Sequence, residues 1–148
     1  MTSYIGFDLE TTGVDPKTDK PVQISLIQAN DSGYIRILIN TLCNPMMPIH
    51  PEAQKVHGIS DEMVKNHPDY AIALWNTDLL AETVRTEEVL ITMNGKSFDV
   101  PMASNCLGAP AFANFPHFDV YQAACRYFPD LKQRRLGALH QHFFNESL

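Results

Sequence analysis

Residues 5–10 read Ile5-Gly6-Phe7-Asp8-Leu9-Glu10, three large apolar side chains alternating with a glycine and two acids. Successive side chains of a strand point to opposite faces. Ile5, Phe7 and Leu9 therefore take one face into a core, and Asp8 and Glu10 share the other. Two carboxylates side by side on one strand repel unless a cation lies between them. Hard oxygen donors select Mg²⁺ or Mn²⁺ for that place. Taken alone, a solvated strand end accounts for the pair equally well.

The rest of the chain supplies partners for such a strand. Val22, Ile24 and Leu26 alternate, Asn30-Asp31-Ser32-Gly33 supplies turn chemistry, and Ile35, Ile37 and Ile39 alternate beyond it. These three runs predict an antiparallel meander. A proline-punctuated loop follows, with Pro45, Pro48 and Pro51. Ser60 is placed to cap a helix that begins with Asp61 and Glu62. Ile72, Trp75, Leu79, Leu80 and Val84 form the apolar stripe of a longer helix. Val89 to Met93 reads as a short buried strand, and a further helix starts near Pro101 and ends by Gly108. Asp119 is an N-cap for a segment through Phe128, and Leu136, Leu139 and Phe143 give a last helical face. The order βββ-α-β-α-β-α predicts a mixed sheet with helices packed on it.

The chain has 148 residues, 45% of them hydrophobic and 19% charged, which is ordinary for one globular domain. Seventeen acids against eleven Lys and Arg leave a net charge of −6. That argues against a nonspecific nucleic-acid coat protein but not against an enzyme that meets phosphates through bound metal ions. Three unpatterned cysteines, Cys43, Cys106 and Cys125, argue against a disulfide framework and read as small apolar residues in a reducing compartment. With no apolar run long enough to span a bilayer and no signal-peptide pattern, the expectation is a cytoplasmic protein without a membrane partner. Lys132, Arg134 and Arg135 could steer a phosphate backbone, though a solvated helix start explains them as well.

Four stretches carry a family resemblance. Phe7-Asp8-Leu9-Glu10-Thr11-Thr12-Gly13 closely resembles the first motif of the DEDD superfamily of 3′–5′ exonucleases, of the DEDDh type, which includes the proofreading epsilon subunit of bacterial DNA polymerase. Asn94-Gly95-Lys96-Ser97-Phe98-Asp99 resembles the second motif. Between them, His50-Pro51-Glu52-Ala53 and Val56-His57-Gly58-Ile59-Ser60-Asp61-Glu62-Met63-Val64 are similar to a stretch of the exonuclease branch. Phe118-Asp119-Val120 through Leu139 is similar to the segment leading toward the third motif.

The resemblance implies an α/β, ribonuclease H-like fold, with a five-stranded mixed sheet of order 3-2-1-4-5 flanked by helices. It implies metal-dependent 3′–5′ release of nucleoside monophosphates from single-stranded DNA or RNA ends, with two Mg²⁺ or Mn²⁺ ions. Asp8 would bridge both ions, Glu10 would hold the one near the nucleophile, and Asp99 would orient the second. Thr11, Thr12 and Gly13 would meet the 3′-terminal hydroxyl, Gly13 by letting the backbone approach closely. Val56, His57 and Phe98 would pack against the last nucleotides, and Asn94 would be a further substrate-binding residue. For Val56 and Phe98, ordinary core packing is the alternative.

The implied partners are a single-stranded 3′ end and a DNA polymerase or other protein chain. The third motif is a histidine followed five residues on by an aspartate, and no aspartate lies beyond Asp130. The expectation is one exonuclease-like domain over residues 1–148 that lacks the part carrying that motif. Two further readings are a catalytically impaired module that binds nucleic-acid ends or a protein partner, and an endonuclease of the same fold.

Overall fold

The computed structural model describes residues 2–75 and 87–148. Three strands come first: β1 (Ser3–Thr11), β2 (Pro21–Asn30) and β3 (Ile35–Leu42). Three short helices follow, α1 (Pro51–His57), α2 (Asp61–Val64) and α3 (Tyr70–Trp75). Then come β4 (Val89–Thr92), α4 (Asp99–Leu107), β5 (His117–Asp119), α5 (Val120–Tyr127) and α6 (Leu136–Phe144). The sheet order is β3-β2-β1-β4-β5, the order that the family resemblance implies. β1 is the hinge of the topology, antiparallel to β2 and parallel to β4.

The alternation in β1 works as its sequence dictates. Ile5, Phe7 and Leu9 are buried, together with Ile24 and Leu26 of β2 and Leu90 of β4. Helix α4 covers this face with Met102 and Ala103, both fully buried, and α3 adds Ala73 and Leu74. A smaller cluster, Val22, Ile49, Ile59 and Val64, with Ala53 of α1 packed on it, seats α1 and α2 against the start of β2.

Several expectations need correction. β3 does not present Ile35, Ile37 and Ile39 on one face. Leu26 pairs with Ile39 but Ile27 pairs with Ile37, so Leu38 is an extra residue that reverses the strand's phase. Ile39 is buried, whereas Ile35 and Ile37 are exposed on the opposite face. The proline-punctuated loop is shorter than its prolines suggest, because Pro51 opens helix α1. Proline suits that first position, since its missing N–H would have no partner there. Cys43 is buried, but Cys106 is half-buried and Cys125 exposed. In α6 only Leu139 of the expected apolar face is buried, with Leu136 and Phe143 largely open.

Two caps stand as expected. Ser60 Oγ accepts from Met63 N–H at 3.4 Å, and Asp119 Oδ1 accepts from Gln122 N–H at 3.1 Å. Leu79, Leu80 and Val84 of the expected longer helix lie outside the described residues. No helix among the described residues is long and apolar enough to cross a membrane.

Candidate active site

Asp8 and Glu10 project from the face of β1 opposite the core. Asp8 is exposed as a residue and Glu10 half-buried. The Asp8 carboxyl still sits deep enough in the cleft for burial to raise its pKa. Burial raises Glu10 as well, and the neighbouring Asp8 charge adds to it. Asp99 arrives from a different element, as the first residue of α4, and is only 4% exposed. Its Oδ1 accepts from Leu9 N–H at 3.1 Å, which fastens the helix start to β1 between the two acids. Burial and the Asp8 charge together push Asp99 up to about 7, against the opposing pull of the Leu9 N–H. The three acids are thus fixed on regular elements, and burial disfavours each as a bare anion.

The loop between β4 and α4 is organised by Asp119. Its Oδ1 accepts from Asn94 N–H at 3.1 Å and its Oδ2 from Lys96 N–H at 3.0 Å. Burial works the other way, yet these donors and that of Gln122 hold Asp119 below the usual carboxylate range. Asn94 accordingly adopts a left-handed backbone, φ +65°. The capping role expected for Asp119 is therefore half of what it does. Gly95 lies against Thr92, where a Cβ would come within 2.5 Å of the Thr92 Cβ. Phe98 is half-buried and packs against the main core, so its ring has the packing partners of a core residue.

The turn after Glu10 is buried rather than open. Thr12 is fully buried, and Thr11 and Gly13 nearly so. The Thr11 hydroxyl donates to Gly13 O at 2.6 Å and the Thr12 hydroxyl to Asp19 Oδ1 at 2.8 Å. Both hydroxyls are thus committed within the protein. His57 is committed too. Its Nε2 lies 3.1 Å from Thr11 O, and its Nδ1 accepts from Ile59 N–H at 3.0 Å. Those two bonds together require the proton on Nε2. Val56, one residue earlier on α1, is 85% exposed, and core packing does not account for it.

The donor chemistry of Asp8, Glu10 and Asp99, three hard oxygen ligands of which Glu10 and Asp99 are each pushed up by burial and by the Asp8 charge, fits a divalent cation. Among the described residues, no group of three or more Asp, Glu, His or Cys side chains is already gathered as a metal cluster.

Residues 5–148 match the profile of the family described as RNase_T, Exonuclease. The chain belongs to that exonuclease family. It is 28% identical over 140 residues to the DNA polymerase III PolC-type of Ureaplasma parvum, covering 93% of this chain and 9% of the relative. A DNA polymerase III subunit epsilon-like protein of Rhodobacter capsulatus is 31% identical over 121 residues, 71% of this chain and 17% of that one. Among solved structures, an ExoI/SSB-Ct complex superposes with a TM-score of 0.77 at 18% identity, over 95% of this chain and 36% of that one. The chain thus spans between about a tenth and about a third of the length of these proteins. The exonuclease fold brings Asp8, Glu10 and Asp99 into electrostatic contact, ties Asn94 to Asp119, and sets His57 on the turn beside Glu10.

Sequence reasoning passed over Asp19, which is buried beneath that turn. An acid two residues before Pro21 gives no periodic or motif signal. Only its burial marks it out.

Proposed function

We propose that this exonuclease-family chain is a metal-dependent 3′–5′ exonuclease that releases nucleoside monophosphates from single-stranded DNA or RNA ends in the cytoplasm. The observation that carries the reading is the set of three acids, Asp8, Glu10 and Asp99, all raised by burial and two of them by Asp8 itself. A pair of divalent ions held by Asp8, Glu10 and Asp99 would supply an activated water and stabilise the departing oxygen.

The chain's own residues do the positioning. Asp99, fastened to Leu9, keeps the helix start in line with β1. The 11–13 turn receives the terminal nucleotide through its backbone, since its hydroxyls are already bonded. Val56, standing clear of the surface, is available to wedge against an unpaired end base. His57 holds the turn rather than the substrate, and Asn94 and Phe98 line the loop that leads to Asp99. The partners are a single-stranded 3′ end and a polymerase or other protein chain.

The test is a time course on a 5′-labelled single-stranded oligonucleotide, with Mn²⁺ or EDTA, using wild type, Asp8→Ala and Asp99→Ala. A ladder shortening from the 3′ end, abolished by EDTA and by either substitution, is expected. No ladder from the wild type overturns the reading for this chain. End binding that persists without turnover would then identify a binding module.

A further inference from the structure

We infer that Asp19 is the positioning residue that locks the 11–13 turn and helix α1 together against β1, and so sets which phosphodiester the site cuts. The inference rests on the exonuclease reading and adds to it a determinant of cutting register.

Asp19 is 8% exposed, although it lies in the loop between β1 and β2 and not in the sheet. A buried carboxylate is costly unless its oxygens are bonded. Here both are. Oδ1 accepts from the Thr12 hydroxyl at 2.8 Å and Oδ2 from Asp15 N–H at 2.9 Å, while His50 Nε2 lies 3.5 Å from Oδ1. The Thr12 oxygen accepts in turn from Lys20 N–H at 3.1 Å. The carboxylate also fills the space beneath Gly13, where a Cβ would stand 2.5 Å from Oδ2 and 2.7 Å from Oδ1. The glycine is therefore required by the acid below it, independently of any approach by substrate.

The place of this network matters as much as its bonds. The β1–β2 ladder is regular up to Glu10 and shifts register between Glu10 and Thr11, where the next partner is Pro21. Proline offers no N–H to the ladder. Past the shift the pairing continues only as Thr11 beside Pro21 and the Thr12 N–H, which donates to Lys20 O at 2.8 Å. From there Asp19 and α1 take over. His50 N–H donates to Thr12 O at 2.9 Å, and His57 Nε2 donates to Thr11 O. Both ends of α1 are therefore pinned to the turn, one to Thr12 and one to Thr11, and α1 carries the exposed Val56. Turn and helix move as one body, and Asp19 sits at the junction of that body with β1.

The experiment compares wild type with Asp19→Ala, Asp19→Asn and Thr12→Val on a 5′-labelled single-stranded oligonucleotide in Mn²⁺. It scores the first product and the preference for a 3′-hydroxyl over a 3′-deoxy end. A misplacement of an ångström costs about a hundredfold in rate. Asp19→Ala and Thr12→Val should lose on the order of tenfold to a hundredfold in kcat/KM. The first cut should spread from the terminal to the penultimate linkage, and the end preference should fall. Asp19→Asn, which keeps the shape and one acceptor, should recover most of both.

Loss of melting temperature with an unchanged first cut and unchanged end preference overturns the inference. That pattern would mark Asp19 as a structural staple only. If the wild type does not degrade DNA, the exonuclease reading fails separately, and the inference is read by binding with Ca²⁺ in place of Mn²⁺. Wild type should then still favour the 3′-hydroxyl end, and Asp19→Ala should not. Equal binding of both ends by wild type, or a preference kept by Asp19→Ala, overturns it.

Discussion

Burial and the adjacent Asp8 charge push Asp99 up from 3.8 to about 7 in the folded protein. In the unfolded chain it titrates near the ordinary value. A carboxyl raised on folding binds its proton more tightly in the folded state, so its stabilising share is complete below about pH 4. That share is lost as the pH rises through about 7. Asp8 and Glu10 are raised as well and act with the same sign. In EDTA the melting temperature should therefore fall between pH 5 and pH 8. Asp99→Asn, which keeps an acceptor for Leu9 N–H, should remove much of that fall. Each pKa unit is worth about 1.4 kcal/mol, so the gain at pH 8 is at most about 4 kcal/mol. Equal melting curves for the two proteins at pH 8 would refute the coupling. Periodicity was enough to place Asp8 and Glu10 on one face. It carries no information on where a hydroxyl or an imidazole nitrogen finds its partner, so the commitments of Thr12 and His57 were not readable.

The first three strands were visible as alternation and β4 as a short apolar run, and the two observed side-chain caps were visible as residue types. What the pattern missed were events between elements. The extra residue Leu38 turns Ile35 and Ile37 outward, because a bulge changes pairing without changing composition. Helix α1 hid behind its own N-terminal proline. The link between β4 and α4 shows how tight such junctions are. Thr92 is 3% exposed, its Oγ1 accepts from Gly95 N–H at 3.2 Å, and the same oxygen lies 2.8 Å from His117 Nε2. It cannot retreat from a methyl group at position 95. Gly95→Ala should destabilise the fold by about 1–3 kcal/mol, as overpacking does. It should also shift the loop that aims Asp99, lowering activity beyond the loss of folded protein. Urea unfolding alongside the oligonucleotide time course separates the two effects. An unchanged midpoint would show that the loop absorbs the methyl group.

Across the whole molecule, the strand order came from the family resemblance and not from the pattern, because alternation identifies strands without saying which ones pair. The central place of β1 follows only once β4 is seen to lie parallel to it. That placement gathers acids at the middle of a molecule with seventeen acids and eleven Lys and Arg. On the proposed reading, binding of a nucleic-acid end would depend on metal more than on basic side chains. Each phosphate neutralised on a single strand adds about −0.7 to the slope of log affinity against log salt. With few cations to offer, the protein should show a slope shallower than about −2. Adding Ca²⁺ should tighten binding of a single-stranded oligonucleotide, and Asp8→Ala should abolish that gain. Fluorescence anisotropy over a potassium chloride series, with and without Ca²⁺, checks both. A slope steeper than about −4 with no response to Ca²⁺ would reassign the interaction to a basic surface, for which Lys132, Arg134 and Arg135 are the residues to substitute first.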